Sequence, residues 1–151
     1  MSNIFLDTIN GNSSSRPPVW FMRQAGRILP SYRKLKEKHH FYDMMKDSEL
    51  ASEVTLLPIN DLDVDSAILF SDILVIPDAL GLELIFTKNG PKFTNAITEI
   101  NHNHLNFNPD KLNYIYKNIE KTVENKKDTP LIGFCGGPVS YTHLRAHETT
   151  V

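Results

Sequence analysis

The run Ala67-Ile68-Leu69-Phe70 constrains this chain more than any other stretch. Four consecutive apolar residues, without the alternation of a half-solvated strand, read as a strand buried on both faces. Such strands belong to parallel sheets covered by helices. Ser71 and Asp72 follow at its carboxyl end, Ile73 to Leu80 suits a short helix stopped by Gly81, and Leu82 to Phe86 resumes extended structure. The segment from Ala67 to Phe86 is as long as a membrane span, about 20 residues. It carries Asp72, Pro77, Asp78 and Glu83, and burying those charges in hydrocarbon is costly, so no membrane partner is expected.

The remaining elements follow from the same patterns. Residues 1–16, polar and rich in Ser and Asn, read as a flexible N-terminal tail that Pro17-Pro18 ends. Val19 to Met22 is a short apolar, strand-like run with the sole tryptophan, Trp20. From Tyr32 the pattern turns helical, with Lys34, Lys36, Glu37 and Lys38 on a solvated face. Asp47 or Ser48 caps a further helix that buries Leu50, Val54 and Leu57, and Pro58 and Asn60 end or kink it. Asn108 and Pro109 make a cap and first-turn proline, after which Leu112, Ile115, Tyr116, Ile119 and Val123 trace one face of an amphipathic helix. Leu131 to Phe134 is the next strand. Strands alternating with helices predict an α/β fold with a parallel sheet. Ligands of such folds sit at the carboxyl ends of the strands. Arg23, Arg27, Asp72 and the turn Cys135–Pro138 all follow strand-like runs, so they are expected to converge on one mouth.

A length of 151 residues suits one ordinary domain. A net charge of −2 supplies no clustered basic surface, which argues against a nucleic-acid partner. The single cysteine, Cys135, excludes an internal disulfide and fits a reducing compartment. The N-terminus has neither the cationic start nor the apolar core of a secretory signal, so a cytoplasmic location is expected.

The stretch "VWFMRQAGR" places two permanent cations, Arg23 and Arg27, four residues apart. Each presents a planar fork of donors matched to a carboxylate or phosphate. From position alone they are either an anion site or surface cations with buried stems. Asp72 is likewise either a helix cap or a site carboxylate that accepts N–H donors. Cys135, with no histidine near it in sequence, reads as a buried small apolar residue. His39 and His40 read as solvated, and His102 and His104 lack further metal ligands. His143 and His147, followed by Glu148, resemble half a zinc site. No metal or cofactor is expected.

"PVWFMRQAGRILPSYR", "LLPINDLDVDSAILFSDILVIPDALG" and "LIGFCGGP" occur here in the order and approximate spacing of the uroporphyrinogen decarboxylases. From Pro17 to Pro138 the chain resembles that family. The resemblance implies a (β/α)8 TIM barrel acting as a cytoplasmic homodimer. It implies removal of carbon dioxide from the four acetate arms of uroporphyrinogen III, giving coproporphyrinogen III on the way to haem, without a cofactor. By resemblance Arg23 and Arg27 bind substrate carboxylates, one of them a candidate proton donor. Gln24, Ala25 and Gly26 share their substrate-binding loop, and Asp72 collects the pyrrole N–H groups. A full barrel takes about 250 residues, so residues 17–138 are expected to supply only its N-terminal part. The tail 139–151, "VSYTHLRAHETTV", departs from the family and reads as foreign, resembling translated adaptor sequence; Tyr141 is given no family role. Two other readings stand beside this one. One is a zinc-dependent methyltransferase of the same superfamily, which the lack of a second cysteine and the intact "MRQAGR" oppose. The other is a noncatalytic anion-binding fragment.

Overall fold

The computed structural model describes residues 3–22, 24–87, 90–94 and 105–137. In chain order the elements are α1 (Ile4–Ile9), α2 (Pro30–Lys38), α3 (Phe41–Lys46), α4 (Ser48–Leu62), β1 (Ala67–Ile68), α5 (Val75–Ala79), β2 (Leu84–Thr87), β3 (Gly90–Phe93), α6 (Asn113–Asn125) and β4 (Leu131–Ile132). They fall into two units, Met1–Ser71 with Tyr114–Phe134, and Asp72–Asn113 with Cys135–Val151.

The first unit is organised around α4. Asp47 Oδ1 accepts the N–H groups of Glu49 and Leu50 at 2.9 and 3.0 Å, so Asp47 is the cap that starts the helix. Ala51, Val54, Leu57 and Pro58 lie on its buried side. Pro58 was expected to end or kink the helix; it does not end it, and α4 runs on to Leu62. The proline ring is fully buried, and that apolar burial offsets the backbone hydrogen bond it cannot make. Helices α2 and α3 pack on α4, and Leu29, Tyr32, Met44, Met45, Val54 and Phe70 form the core between them. The Phe70 ring meets Tyr32 and Phe41 edge-on, with centroids 6.3 and 5.4 Å apart.

Strand β1 pairs in parallel with β4, Ala67 opposite Leu131 and Ile68 opposite Ile132. The expected parallel pairing is present, but the strand is shorter than its apolar run. Ala67 and Leu69 N–H donate to Pro130 O and Ile132 O across the pair. On the opposite edge Phe70 N–H goes to Thr55 Oγ1 at 2.9 Å, and that hydroxyl donates to Ala51 O at 2.7 Å.

Three further expectations change in this unit. Within residues 1–16 stands α1, started by Asn3 Oδ1, which accepts Phe5 and Leu6 N–H; Asn3 Nδ2 reaches Asp128 O at 3.4 Å. Val19 to Met22 contributes no strand among the described residues: its Val19 and Phe21 N–H groups go to the side chains of Asp65 and Gln24, and Phe21 O accepts the nearby Gln24 N–H in a turn. The apolar face expected around α6 is covered only in part: Leu112 is buried and Ile115 and Ile119 are half-buried. Asn118 and Thr122 are buried, whereas Tyr116 and Val123 of the expected apolar face are exposed. Two hydrogen bonds tie this helix to α3 and α4: Asn118 Nδ2 to Met45 O at 2.7 Å and Asn125 Nδ2 to Ser52 Oγ at 3.1 Å.

In the second unit α5 stops at Gly81, whose φ of +97° suits glycine alone among common residues. Leu82 to Phe86 was expected to extend the parallel sheet. Instead β2 pairs antiparallel with β3, Leu84 opposite Phe93 and Thr87 opposite Gly90, the latter at φ +117°. Asn108 Oδ1 accepts Asp110 N–H at 3.0 Å and caps a 3₁₀ turn, Pro109–Leu112, that leads into α6. Among the described residues the architecture is mixed helix and strand with no closed barrel, and no helix is long and apolar enough to cross a membrane.

Candidate functional site

The arginine loop lies between Pro17 and α2. Its entrance is held by Asp65: the carboxylate accepts Arg16 Nη1 and Nη2 at 2.6 and 2.8 Å and Val19 N–H at 2.6 Å. The Asp65 N–H in turn donates to Val19 O at 2.8 Å. The Arg16 guanidinium and the Val19 N–H hold the Asp65 carboxyl below its ordinary range.

Gln24 is 1% exposed, and both ends of its amide meet the main chain. Its Oε1 accepts Phe21 N–H at 3.1 Å and its Nε2 donates to Ser66 O at 2.8 Å. The backbone N–H of Gln24 also donates to Phe21 O at 3.1 Å. Ala25 is partly buried against the core, and Gly26 O accepts Leu29 N–H at 2.9 Å as the chain enters α2. Arg27 is exposed. Its carbonyl is engaged by Arg33 Nη1 at 3.0 Å, and the same atom reaches Ile28 O at 3.4 Å. Burial pushes the Tyr32 phenol up, and the charge of Arg27 acts against that shift. The loop also exposes Trp20, Phe21, Met22 and Ile28, the last two at 81% and 72%. An exposed guanidinium offers a planar fork of donors matched to a carboxylate or phosphate.

Asp72 begins the second unit and is half-buried. Its Oδ1 accepts Leu74 N–H at 2.8 Å, but the residue that caps α5 is Leu74. Asp72 therefore closes the turn before the helix and is not its cap. Burial pushes its carboxyl above the ordinary range, and the Leu74 N–H acts in the opposite direction. A carboxylate so placed gains from any further N–H donors a ligand brings.

Gln24, Ala25, Gly26 and Arg27 thus share one loop of the first unit, and Asp72 stands in the second. Cys135 is exposed, which corrects its reading as a buried residue: the strand pairing stops at Ile132, so nothing in the sheet covers it. His39 is partly buried at the end of α2 and His40 is exposed. Arg23, His102, His104, Pro138, Tyr141, His143, His147 and Glu148 lie outside the described residues. Sequence reasoning missed Asp65, Ser66 and Arg33 as supports of the loop. Asp65 and Ser66 stand 42 or more positions from their partners in the loop, and no local pattern links them. Arg33 stands beside the lysines of α2 and nothing in its local sequence singles it out.

The parallel pair β1–β4, with α4 packed on β1, makes this an α/β protein. The chain belongs to the uroporphyrinogen decarboxylase family, whose sequence model matches residues 2–144. It is 42% identical over 142 residues to the uroporphyrinogen decarboxylase of Christiangramia forsetii, covering 91% of this chain and 42% of that protein. It is 47% identical over 137 residues to that of Protochlamydia amoebophila, covering 88% and 37%, and 46% identical over 145 residues to that of a Sulfurovum species, covering 91% and 42%. The chain therefore spans less than half the length of these relatives.

Proposed function

We propose that this chain is the N-terminal part of a uroporphyrinogen decarboxylase, a carboxy-lyase that takes the four acetate side chains of uroporphyrinogen III to methyl groups. The observation that carries the reading is the arginine loop of a family member, with Gln24 turned inward and Arg27 turned to solvent. The finer claims belong to the same proposal: a (β/α)8 barrel completed by residues beyond this chain, homodimeric and cytoplasmic, with a small-molecule substrate and no nucleic-acid partner. The relatives are named as decarboxylases, which does not favour the methyltransferase reading.

Breaking the bond between an acetate methylene and its carboxylate leaves an electron pair that needs a sink. Protonating the electron-rich pyrrole supplies one within the substrate, so the pair flows into the ring as carbon dioxide leaves. A proton then goes to the former methylene carbon, giving the methyl group, and the ring proton is released. Arg23 and Arg27 bind the carboxylates, one of them supplying a proton, with Ala25 and Gly26 as loop contacts. Asp72 accepts pyrrole N–H groups and stabilises positive charge on the ring, which is electrostatic preorganisation.

The test is coproporphyrinogen formation from uroporphyrinogen III under anaerobic conditions, by the purified 151-residue chain and by a version as long as the relatives. Turnover is expected from the longer protein only. An inactive longer protein would defeat the decarboxylase reading. Turnover by the short chain would defeat the claim that further residues are required.

A further inference from the structure

Asp65 and Ser66, consecutive residues at the entrance to β1, hold the arginine loop at two points. Asp65 binds Val19 through both its side chain and its main chain, and Ser66 O receives the amide of Gln24. We infer that Gln24 is a positioning residue, which clips the arginine loop onto the entrance of β1, and that it is not a contact for the ligand. For its functional half the inference rests on the reading of the loop as a holder of a polycarboxylate substrate.

The chemistry of the two partners selects the side chain. Phe21 offers a backbone N–H and Ser66 a backbone carbonyl, 3.1 and 2.8 Å from the two ends of the amide. Only a group with an acceptor on one side and a donor on the other satisfies both. Glutamine has that pair in a planar head at the right reach. An ionised glutamate would set oxygen against the Ser66 carbonyl, and methionine of similar volume would leave both groups unpaired in a site that is 1% exposed. The main chain on either side of the large exposed apolar side chains is thus bonded at Val19 and again at Gln24. Arg27, three residues beyond the second clip, then leaves from a fixed origin, with its carbonyl held by Arg33. Ordering the loop in advance removes part of the entropy that binding would otherwise cost.

The test reads the amide of Phe21 by hydrogen exchange in the 151-residue chain, with the amide of Leu69, bonded to Ile132 O across the β1–β4 pair, as the reference for an intact fold. In Gln24→Met the protection of Phe21 is expected to fall about tenfold while that of Leu69 stays. Unchanged Phe21 protection would overturn the inference and leave Gln24 free to contact ligand. If Leu69 protection is lost as well, Gln24→Glu decides. Protonated at low pH, the introduced carboxyl again has an O–H for Ser66 and a C=O for Phe21, so Phe21 protection factors return to wild-type values, and they drop at neutral pH. No pH dependence beyond that of wild type would overturn the inference. In parallel, uroporphyrin quenching of Trp20 fluorescence is expected to show about tenfold weaker binding in Gln24→Met, by the loss of preorganisation. Failure of wild type to bind uroporphyrin would count against the substrate reading, while the exchange of Phe21 would still decide the role of Gln24.

Discussion

Asp65 takes both terminal nitrogens of Arg16, at 2.6 and 2.8 Å, and the same carboxylate accepts Val19 N–H at 2.6 Å. One side chain thereby closes the entrance of the arginine loop against the start of β1. Asp65→Asn keeps an acceptor for one partner and loses the charge. It is expected to cost about 1 kcal/mol, at the lower end for charge-assisted bonds because the guanidinium is solvated. The pH dependence follows from the lowered carboxyl. With the folded value below the unfolded one, the stabilisation is present above the unfolded carboxylate range and is lost as pH falls through the folded value. Urea unfolding at pH 7 should therefore separate wild type from Asp65→Asn, and the gap should close in acid.

Asp72 has the opposite sign. Its carboxyl is raised by burial, so as pH climbs the unfolded state ionises first and the native state is penalised. Asp72→Asn removes that penalty and keeps an oxygen for Leu74 N–H. The variant is expected to be at least as stable as wild type at pH 7, with the difference vanishing below about pH 3, where both states of the carboxyl are protonated. In the longer protein its turnover should fall about 10²- to 10³-fold, the scale for one electrostatic contact to a developing charge. Thermal unfolding and initial rates check the two halves. Unchanged turnover would leave Asp72 as a turn residue.

Thr55 stands between α4 and the end of β1, donating to Ala51 O at 2.7 Å and accepting Phe70 N–H at 2.9 Å. Thr55→Val fills the same volume and orphans a buried N–H. A loss of about 1–3 kcal/mol is expected, with Thr55→Ser recovering most of it. Denaturant midpoints of the two variants would show the contrast; equal midpoints would mean that Phe70 finds another acceptor.

How much of this was legible in the sequence depended on how local the cause was. Asp47, Gly81 and the apolar run at Ala67 were readable because a cap, a left-handed turn and a buried strand are each encoded within a few residues. Val19 to Met22 misled because Asp65, 46 positions away, takes the Val19 N–H, and because Gln24 folds the chain into a turn at Phe21. On α6 the periodicity found a stripe of which Leu112, Ile115 and Ile119 are covered, but it could not foresee the buried Asn118, whose bond to Met45 O is tertiary. The arginine loop stood out by its two cations, and family motifs supplied the role expected of it. Those motifs grouped Gln24 with the ligand contacts, and the structure turns it inward, buried among main-chain groups.

Arg33 and Arg27 form the last testable pair. Arg33 grips the Arg27 carbonyl at 3.0 Å while the Arg27 side chain faces solvent. Replacing Arg27 by lysine keeps the charge and loses the fork, so in the longer protein the KM for uroporphyrinogen should rise about tenfold, the worth of one bidentate contact. Arg33→Lys retains one donor for the carbonyl and should change KM far less than Arg33→Met, which retains none. A positioning role predicts that order. Equal effects of lysine and methionine at position 33 would mean that its fork, like that of Arg27, meets the substrate directly.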